Sequence, residues 1–347
     1  MDNIPSEKCH PGKHHDHNHE HHHTHGAHHH EHDHHHEHDH HKEHGHRHDH
    51  SHHHGHPHKV DEGCSRLGHH DTPPQESRPH QPTARLANTG GCTLTVRVNC
   101  GLSGDIMLAG LADLAGLDDE GVNRLVDELN LPALHGALAL ESRQVNSILG
   151  VGCRIDLPHE HAHRNLEDIL QIIKASAMPA PACEMAEKAF TILAEAEAAV
   201  HGMAVESVTF HEVGALDSIL DICLVCRIFT MLNPARFVCS PLPLADGVIQ
   251  CAHGFTPSPA PAALRLLTDI PVQGFKGQGE TVTPTALCLL RAMGADFGNW
   301  PHMRVRKSVI SYGNKVFSGV PNGAIWALGE ASGAEYAGRP MGEGSRR

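Results

Sequence analysis

The sequence predicts a mixed α/β domain preceded by a disordered, histidine-rich tail. Between residues 10 and 58, 28 of the 49 residues are histidine, and almost none of the others is apolar. Such a stretch has too little apolar surface to build a core. Beyond residue 93, segments in which apolar and polar residues alternate are mixed with segments whose apolar residues recur at helical spacing. Strands and helices are therefore interspersed, which indicates the α/β class.

Composition divides the chain into four parts. Residues 1–58 form the tail, and residues 59–92 have the proline, glycine, serine and glutamine content of a linker. Residues 93–330 are the folding unit, whose length suits one domain or two small ones. We expect residues 331–347 to be a flexible C-terminus.

The folding unit begins with a strand, a glycine turn and a helix. Residues 94–98 alternate as a half-buried strand does, and the segment Gly-Leu-Ser-Gly at 101–104 then turns the chain. Residues 105–114 carry apolar side chains at helical spacing.

Further elements follow from periodicity and from helix-start signals. Asp118 and Thr283 are candidate N-caps, and Pro284 suits the first position of a helix. In order, we expect a helix at 119–129, paired strands at 137–145 and 151–157, helices near 166–173 and at 186–200, a strand at 205–210, a helix at 217–232, a strand at 237–239, a Pro/Gly-rich loop at 241–261, a helix at 284–293 and a hairpin at 304–328.

Charge and composition exclude several functions. Lys and Arg number 27 against 41 Asp and Glu, and no basic run appears, so we expect no nucleic-acid partner. No uncharged apolar run reaches 18 residues and the N-terminus lacks a secretory signal, which predicts a cytoplasmic protein without membrane contact. The eleven cysteines are irregularly spaced, so a disulfide framework is not expected.

The tail indicates a transition metal. Neutral imidazole binds nickel, zinc, copper and cobalt, and the interleaved acids do not choose among them. The tail therefore predicts storage or delivery of such a metal and leaves nickel, zinc and copper open.

Two groups of residues inside the domain are candidate metal ligands. His159, His161 and His163 alternate in a short segment that we expect to be extended, where this spacing projects all three to one side. Cys251 and His253 lie two apart in the Pro/Gly-rich loop. Polar loop histidines without a ligand are the alternative for both groups.

Carboxylates and a histidine cluster between residues 210 and 221. His211 and Glu212 end a predicted strand, and Asp217 and Asp221 are four residues apart on one helical face. Such a set can bind a hard divalent cation or act as acid and base. The alternative is that Asp217 is only an N-cap and Asp221 is solvated.

Two further motifs carry weaker signals. Gly101, Ser103, Gly104 and Asp105 lie at a strand-to-helix turn whose backbone N–H groups can hold a phosphate, although a plain tight turn explains them equally well. The pair Cys223 and Cys226 falls within an apolar helix, which favours core packing over a zinc or redox role.

Eight segments occur in the order seen in the LarC family, and on these the chain resembles that family over residues 94–330. The segments are residues 101–105, 161–169, 193–202, 210–219, 240–244, 251–254, 259–262 and 283–286. The chain departs from the family pattern at Asn99-Cys100, where the family has Asp-Cys-Phe-Ser before its glycine, and at Thr209, where the family often has a histidine.

The resemblance implies a nickel insertion enzyme. Members insert Ni(II) into pyridinium-3,5-bisthiocarboxylic acid mononucleotide, a cyclometallation that forms the nickel-pincer cofactor of lactate racemase. It implies nickel ligands at His159, His161 and His163, with Cys251 and His253 as a transfer point. It also implies base or second-metal roles for His211, Glu212, Asp217 and Asp221, and phosphate contact at Gly101, Ser103, Gly104 and Asp105.

The resemblance further implies a lyase that consumes CTP with Mg²⁺ or Mn²⁺. In the family a C-terminal domain binds the nucleotide, so we expect that a separate polypeptide supplies this domain. A nickel-binding chaperone or storage protein without catalysis is the alternative function.

Overall fold

A computed structural model describes residues 91–157, 164–210, 215–251 and 254–332 of the chain. The expected tail at 1–58, nearly all of the linker and residues 333–347 lie outside these segments. So do His159, His161, His163, His211, Glu212 and His253.

The described residues form seven α-helices, thirteen strands and two 3₁₀ turns. The helices are α1 Gly104–Ala115, α2 Asp119–Asp127, α3 Leu166–Ala175, α4 Ala180–His201, α5 Leu216–Leu232, α6 Pro261–Leu266 and α7 Pro284–Ala292. The strands are β1 Cys92–Val98, β2 Leu138–Val145, β3 Ile148–Ile155, β4 Arg164–Asn165, β5 Thr209–Phe210, β6 Arg236–Cys239, β7 Leu242–Leu244, β8 Val248–Cys251, β9 Gly254–Pro257, β10 Val272–Gly274, β11 Asp296–Phe297, β12 Met303–Ser311 and β13 Ala324–Ala331. The 3₁₀ turns are Pro132–Leu134 and Val205–Ser207.

A seven-stranded mixed sheet organises these elements. Its strand order is β11-β6-β1-β13-β12-β3-β2. The pairs β11–β6, β6–β1 and β12–β3 are parallel, whereas β1–β13, β13–β12 and β3–β2 are antiparallel. Strand β1 lies between β6 and β13 in the interior of the sheet and is buried on both faces from Thr93 onward. The predicted mixed α/β class is confirmed.

Capping residues begin the helices where the sequence predicts. The Asp118 side chain accepts a hydrogen bond from the Gly121 N–H at the start of α2. The Thr283 side chain accepts one from the Ala286 N–H at the start of α7. Both predicted N-caps are confirmed, because a short oxygen-bearing side chain satisfies an N–H group that the helix cannot.

Helix α1 lies between the sheet and α5. Gly110 of α1 is buried against the indole ring of Trp326 on β13, and a Cβ at this position would overlap that ring. The Trp326 Nε1–H donates to Ser311 Oγ of β12 at 2.8 Å, so the ring cannot turn away without losing this bond. Trp326 is fully buried. The spacing between α1 and the sheet therefore depends on glycine at this contact.

Two predicted elements are wrong. The strand expected at 205–210 is a 3₁₀ turn at Val205–Ser207 followed by only two paired residues, since β4 offers just Arg164 and Asn165 as partners. The loop expected at 241–261 contains strands β7, β8 and β9. Pro243 lies within β7, and Gly254 and Pro257 begin and end β9. Strand β8 contains neither proline nor glycine and pairs with β9.

The helix expected at 186–200 is longer than predicted and runs from Ala180 to His201. Pro181 occupies its first turn, where the missing N–H does not disturb the helix. Among the described helices, none combines the length and the apolar character that crossing a bilayer requires.

Replacing Gly110 with alanine is expected to destabilise the domain. Alanine favours a helix over glycine by about 1 kcal/mol. The added methyl would nevertheless overlap Trp326, and such overpacking costs about 1–3 kcal/mol. Urea denaturation measures the net change in the free energy of unfolding. Gly274→Ala is the control, because a Cβ there meets no atom within 4 Å. A Gly110→Ala variant as stable as this control contradicts the close packing.

Candidate functional site

A cavity of about 650 Å³ opens where α1 and α5 begin. Its walls come from the β1–α1 turn, the first turn of α5, the segment before α7 and the connection between β12 and β13. Gly101, Ser103, Asp105, Asp217 and Asp221 all line it. The structure therefore brings together the predicted phosphate turn and the predicted carboxylate pair.

The Gly-Leu-Ser-Gly turn is fixed to the segment before α7. The Leu102 N–H donates to the Thr281 carbonyl at 2.8 Å, and the Thr283 N–H donates to the Leu102 carbonyl at 3.1 Å. Gly101 lies so close to the Thr281 carbonyl oxygen that a Cβ would overlap it. These bonds hold the N-termini of α1 and α7 beside each other at the cavity.

Helices α1 and α5 begin at the cavity without side-chain caps. Ser103 is the N-cap of α1, but its hydroxyl donates to the Asp105 carboxylate and caps no N–H. Ala215 is the N-cap of α5. The alternative role of Asp217 as N-cap is therefore wrong, since Asp217 lies in the first turn and accepts a bond from the Ser218 N–H. Both helix ends present partial positive charge to the cavity.

Asp221 is half-buried, contrary to the alternative in which it is solvated. Its Oδ1 is closed off from solvent and accepts no hydrogen bond from any described residue. Its Oδ2 lies against Gly104, where a Cβ would overlap it. Burial raises the pKa of Asp221 well above its usual value, and the negative charges of Asp105 and Asp217 raise it further. Without a bound cation, Asp221 therefore retains its proton at pH values well above those at which an aspartic acid usually ionises.

Two thiols form part of the same wall. The Cys153 thiol donates to the Asp105 carbonyl at 3.3 Å. Burial raises the pKa of Cys153, as do the nearby carboxylates of Asp221 and Asp105. Burial also raises the pKa of Cys100. Both side chains are therefore neutral thiols near pH 7 and lack the thiolate that a nucleophilic cysteine requires.

The pair Cys223 and Cys226 lies in the core, as the apolar helix predicts. Both are fully buried on α5. Burial raises the pKa of Cys223 to about 12. This confirms the assignment to core packing.

A second cavity, of about 460 Å³, adjoins the first. The two share Asp217, Glu280 and Thr283 as lining residues. His201 and Glu197 of α4 also line the second cavity, with His201 Nε2 and Glu197 Oε2 3.6 Å apart. Acidic groups thus line both sides of the boundary between the cavities.

The predicted histidine ligands lie outside the described residues, as do His211 and Glu212. Cys251 ends β8, and its side chain is not described. Residues that flank the undescribed segments do line the cavities: Leu157 and Ala215 line the first, and Phe210 and Gln250 line the second. Within the described part of the chain, no three His, Cys, Asp or Glu side chains are placed to hold a metal ion.

Sequence reasoning missed the residues that the β12–β13 connection contributes. Tyr312, Lys315, Phe317 and Asn322 line the first cavity. The Asn322 side chain closes this connection by accepting from the Phe317 N–H at 2.8 Å and donating to the Phe317 carbonyl at 2.7 Å. The sequence shows only a broken hairpin here. The one available signal was a lysine and an aromatic residue within a loop.

The fold and the cavity define a class of protein: a mixed α/β domain with a carboxylate-lined cavity at the N-termini of two helices. Residues 94–337 match the sequence model of the nickel insertion protein family. The chain belongs to this family, which confirms the resemblance.

Relatives support this membership. The chain is 38% identical over 232 residues to a Geotalea daltonii protein that carries the provisional name of nickel insertion protein, covering 67% of this chain and 59% of the relative. It is 38% identical over 215 residues to the pyridinium-3,5-bisthiocarboxylic acid mononucleotide nickel insertion protein of Staphylococcus saprophyticus, covering 62% of this chain and 54% of the relative. The chain thus spans less than two thirds of these relatives. No solved structure matches it.

The raised pKa of Asp221 predicts a pH-dependent cost to stability. Below about pH 4 the folded and unfolded chains both hold this proton. As the pH rises further, the unfolded chain releases it while the folded chain retains it, so stability falls by up to about 1.4 kcal/mol per pH unit until the folded pKa is reached. Asp221→Asn removes this loss, and the variant should be increasingly more stable than the wild type as the pH rises.

Urea denaturation at several pH values between 4 and 8 measures this difference. Asp246→Asn is the matched control, since Asp246 is exposed and lines neither cavity. Parallel stability curves for the wild type and Asp221→Asn contradict the buried, protonated carboxyl.

Proposed function

We propose that this chain inserts Ni(II) into pyridinium-3,5-bisthiocarboxylic acid mononucleotide, acting as a nickel chelatase or cyclometallase of the lyase class. The observation that carries the proposal is the carboxylate cluster of Asp105, Asp217 and Asp221 at one cavity. A relative of this family bears the name of that reaction. The nickel ion and the mononucleotide are both substrates.

The chemistry of the substrate defines what the cavity must supply. Two thiocarboxylates flank one ring carbon, so a nickel ion held by both sulfurs lies next to that carbon. Forming the nickel–carbon bond breaks the carbon–hydrogen bond, whose electron pair goes to the metal while the proton leaves. Nickel remains Ni(II), and a base must accept the proton.

Asp221 is our first candidate for this base. An enclosed carboxylate with a raised pKa binds a proton strongly once it is ionised. Asp217 lines the same cavity, and we keep His211 and Glu212 with it as groups for base or second-metal duty.

The remaining assignments concern nickel and phosphate. We propose His159, His161 and His163 as nickel ligands, and Cys251 and His253 as a transfer point. The flanking residues Leu157 and Gln250 line the two cavities, which supports this placement.

For the phosphate we propose the turn formed by Gly101, Ser103, Gly104 and Asp105. This assignment is supported by the N-terminus of α1, which begins at the cavity without a side-chain cap and can offer its N–H groups to an anion.

We further propose that CTP, with Mg²⁺ or Mn²⁺, is consumed and that a separate C-terminal-domain polypeptide binds it. This part rests on the family resemblance. Assays of the chain should therefore be run with and without CTP and with the corresponding domain of a relative.

An assay for nickel-adducted product tests the proposal. The full chain is incubated without oxygen with the mononucleotide, Ni(II), Mg²⁺ and CTP, alone and with the added domain, and the product is detected by mass spectrometry. We expect Asp221→Asn to lower turnover by about 100-fold or more, the usual contribution of a positioned base. Asp246→Asn should retain wild-type turnover. Equal turnover in Asp221→Asn and the wild type contradicts the assignment of the base.

The second candidate function is a nickel-binding chaperone or storage protein. The observation that favours it is the tail, with 28 histidines in 49 residues. If no mixture yields the adduct while the chain binds nickel stoichiometrically, this candidate replaces the first.

Deleting residues 1–90 tests whether the histidine-rich tail stores metal without taking part in the reaction. We expect the shortened chain to lose most of its bound metal and to keep its turnover at saturating nickel, because the tail gathers the ion and the domain uses it. Metal analysis and the adduct assay measure the two effects. Lost turnover at saturating nickel contradicts the reservoir role.

A further inference from the structure

One cation faces the acidic cavity. Lys315, on the connection between β12 and β13, is the sole Lys or Arg among the described residues that line the 650 Å³ cavity. Asp105, Asp217 and Asp221 line it as well, at the starts of α1 and α5, and Glu280 lines it in the segment before α7. The cavity therefore carries a positive group on one structural element and acidic residues on three others.

Neutral groups hold Lys315 in place. Its Nζ donates to the carbonyls of Gln278 and Glu280, at 3.2 Å each. It also lies 4.6 Å from the centre of the Phe317 ring, a cation–π distance. The Phe317 ring in turn packs edge to face on Phe275, with 5.3 Å between ring centres. The side chain is thus positioned on a supported aromatic platform.

This arrangement leaves the charge of Lys315 without a counter-ion. No carboxylate forms an ion pair with it in the described part of the chain, whereas Lys307 pairs with Asp113 and Arg306 with Glu330. An ammonium group has three N–H donors, and the two carbonyls use two of them. One donor and the whole charge are therefore available to a ligand.

A phosphate is the anion that this geometry fits best. A phosphate monoester carries close to two negative charges and would be repelled by the aspartates, including Asp105 within the Gly-Leu-Ser-Gly turn. Lys315 offers a positive charge on a different structural element from these three aspartates. The turn can add N–H donors, but Lys315 supplies the attraction.

We propose that Lys315 binds the phosphate of a pyridinium mononucleotide and so directs its cationic ring towards the aspartates. The ring and the nickel ion then share the acidic side of the cavity, and the phosphate occupies the basic side. The identity of the ligand rests on the proposed function. Lys315 acts here as a positioning and specificity residue, since it does not touch the reacting carbon.

A binding experiment without nickel or turnover tests this assignment. The probes are nicotinamide mononucleotide and its riboside, which share a pyridinium ring and a ribose and differ by the phosphate. Calorimetry at low ionic strength compares the full wild-type chain with Lys315→Met, Lys315→Arg and Lys276→Met. Lys276 is exposed, lies near Phe275 in the chain and lines neither cavity, so it is the matched charge control.

We expect the wild type to bind the mononucleotide about tenfold more tightly than the riboside, as one hydrogen bond to a charged group provides. Lys315→Met should reduce this preference to within about twofold, by the same reasoning, and leave the riboside affinity unchanged. Lys315→Arg should restore most of the preference, and Lys276→Met should match the wild type.

Three outcomes would overturn the proposal. If Lys315→Met lowers the affinity for both probes equally, Lys315 only supports the segment of Gln278 and Glu280. A preserved preference in that variant indicates that the turn before α1 binds the phosphate without Lys315. A wild type that does not prefer the mononucleotide removes the phosphate site altogether. Because the readout is binding, a lost preference in Lys315→Met supports the inference even if no nickel adduct forms.

Discussion

The close approach of α1 to its neighbours is the constraint on which the fold and the cavity both depend. At Gly110 the helix leaves no room for a side chain because Trp326 of β13 fills the space, and at Gly104 it leaves none because Asp221 of α5 does. The first contact sets the distance from α1 to the sheet, and the second sets the distance to α5. Larger residues at either position would move α1, and with it the turn that forms one wall of the cavity.

The enclosure of Asp221 is difficult to explain by stability alone. A buried carboxyl without a hydrogen-bond partner for one oxygen costs free energy, and the neighbouring charges of Asp105 and Asp217 add to that cost. The uncapped ends of α1 and α5 offset part of it through their partial positive charge. Unfavourable electrostatic interactions of this kind are common at functional sites, where a bound ligand compensates them.

The sequence predicted the parts of this molecule that local patterns determine. The N-caps Asp118 and Thr283 were identifiable because capping depends on one side chain and its nearest N–H groups. The four-residue spacing of Asp217 and Asp221 was identifiable from helix geometry. The enclosure of Asp221 was not, since it depends on Gly104, more than a hundred residues away in the chain. Lys315 was missed for the same reason: its charge matters only because the fold brings the β12–β13 connection to the start of α1.

In the proposed reaction, the raised pKa of Asp221 couples nickel arrival to base formation. Before the metal enters, burial and the charges of Asp105 and Asp217 favour the protonated form of Asp221, which limits the negative charge in the cavity. A nickel ion near these groups would offset that repulsion, lower the pKa of Asp221 and release its proton, because a nearby cation favours the ionised carboxylate. The carboxylate would then be ionised only when nickel is present to replace a ring hydrogen. In this proposal, the arrival of nickel generates the Asp221 carboxylate in the same cavity where the ring proton must be accepted.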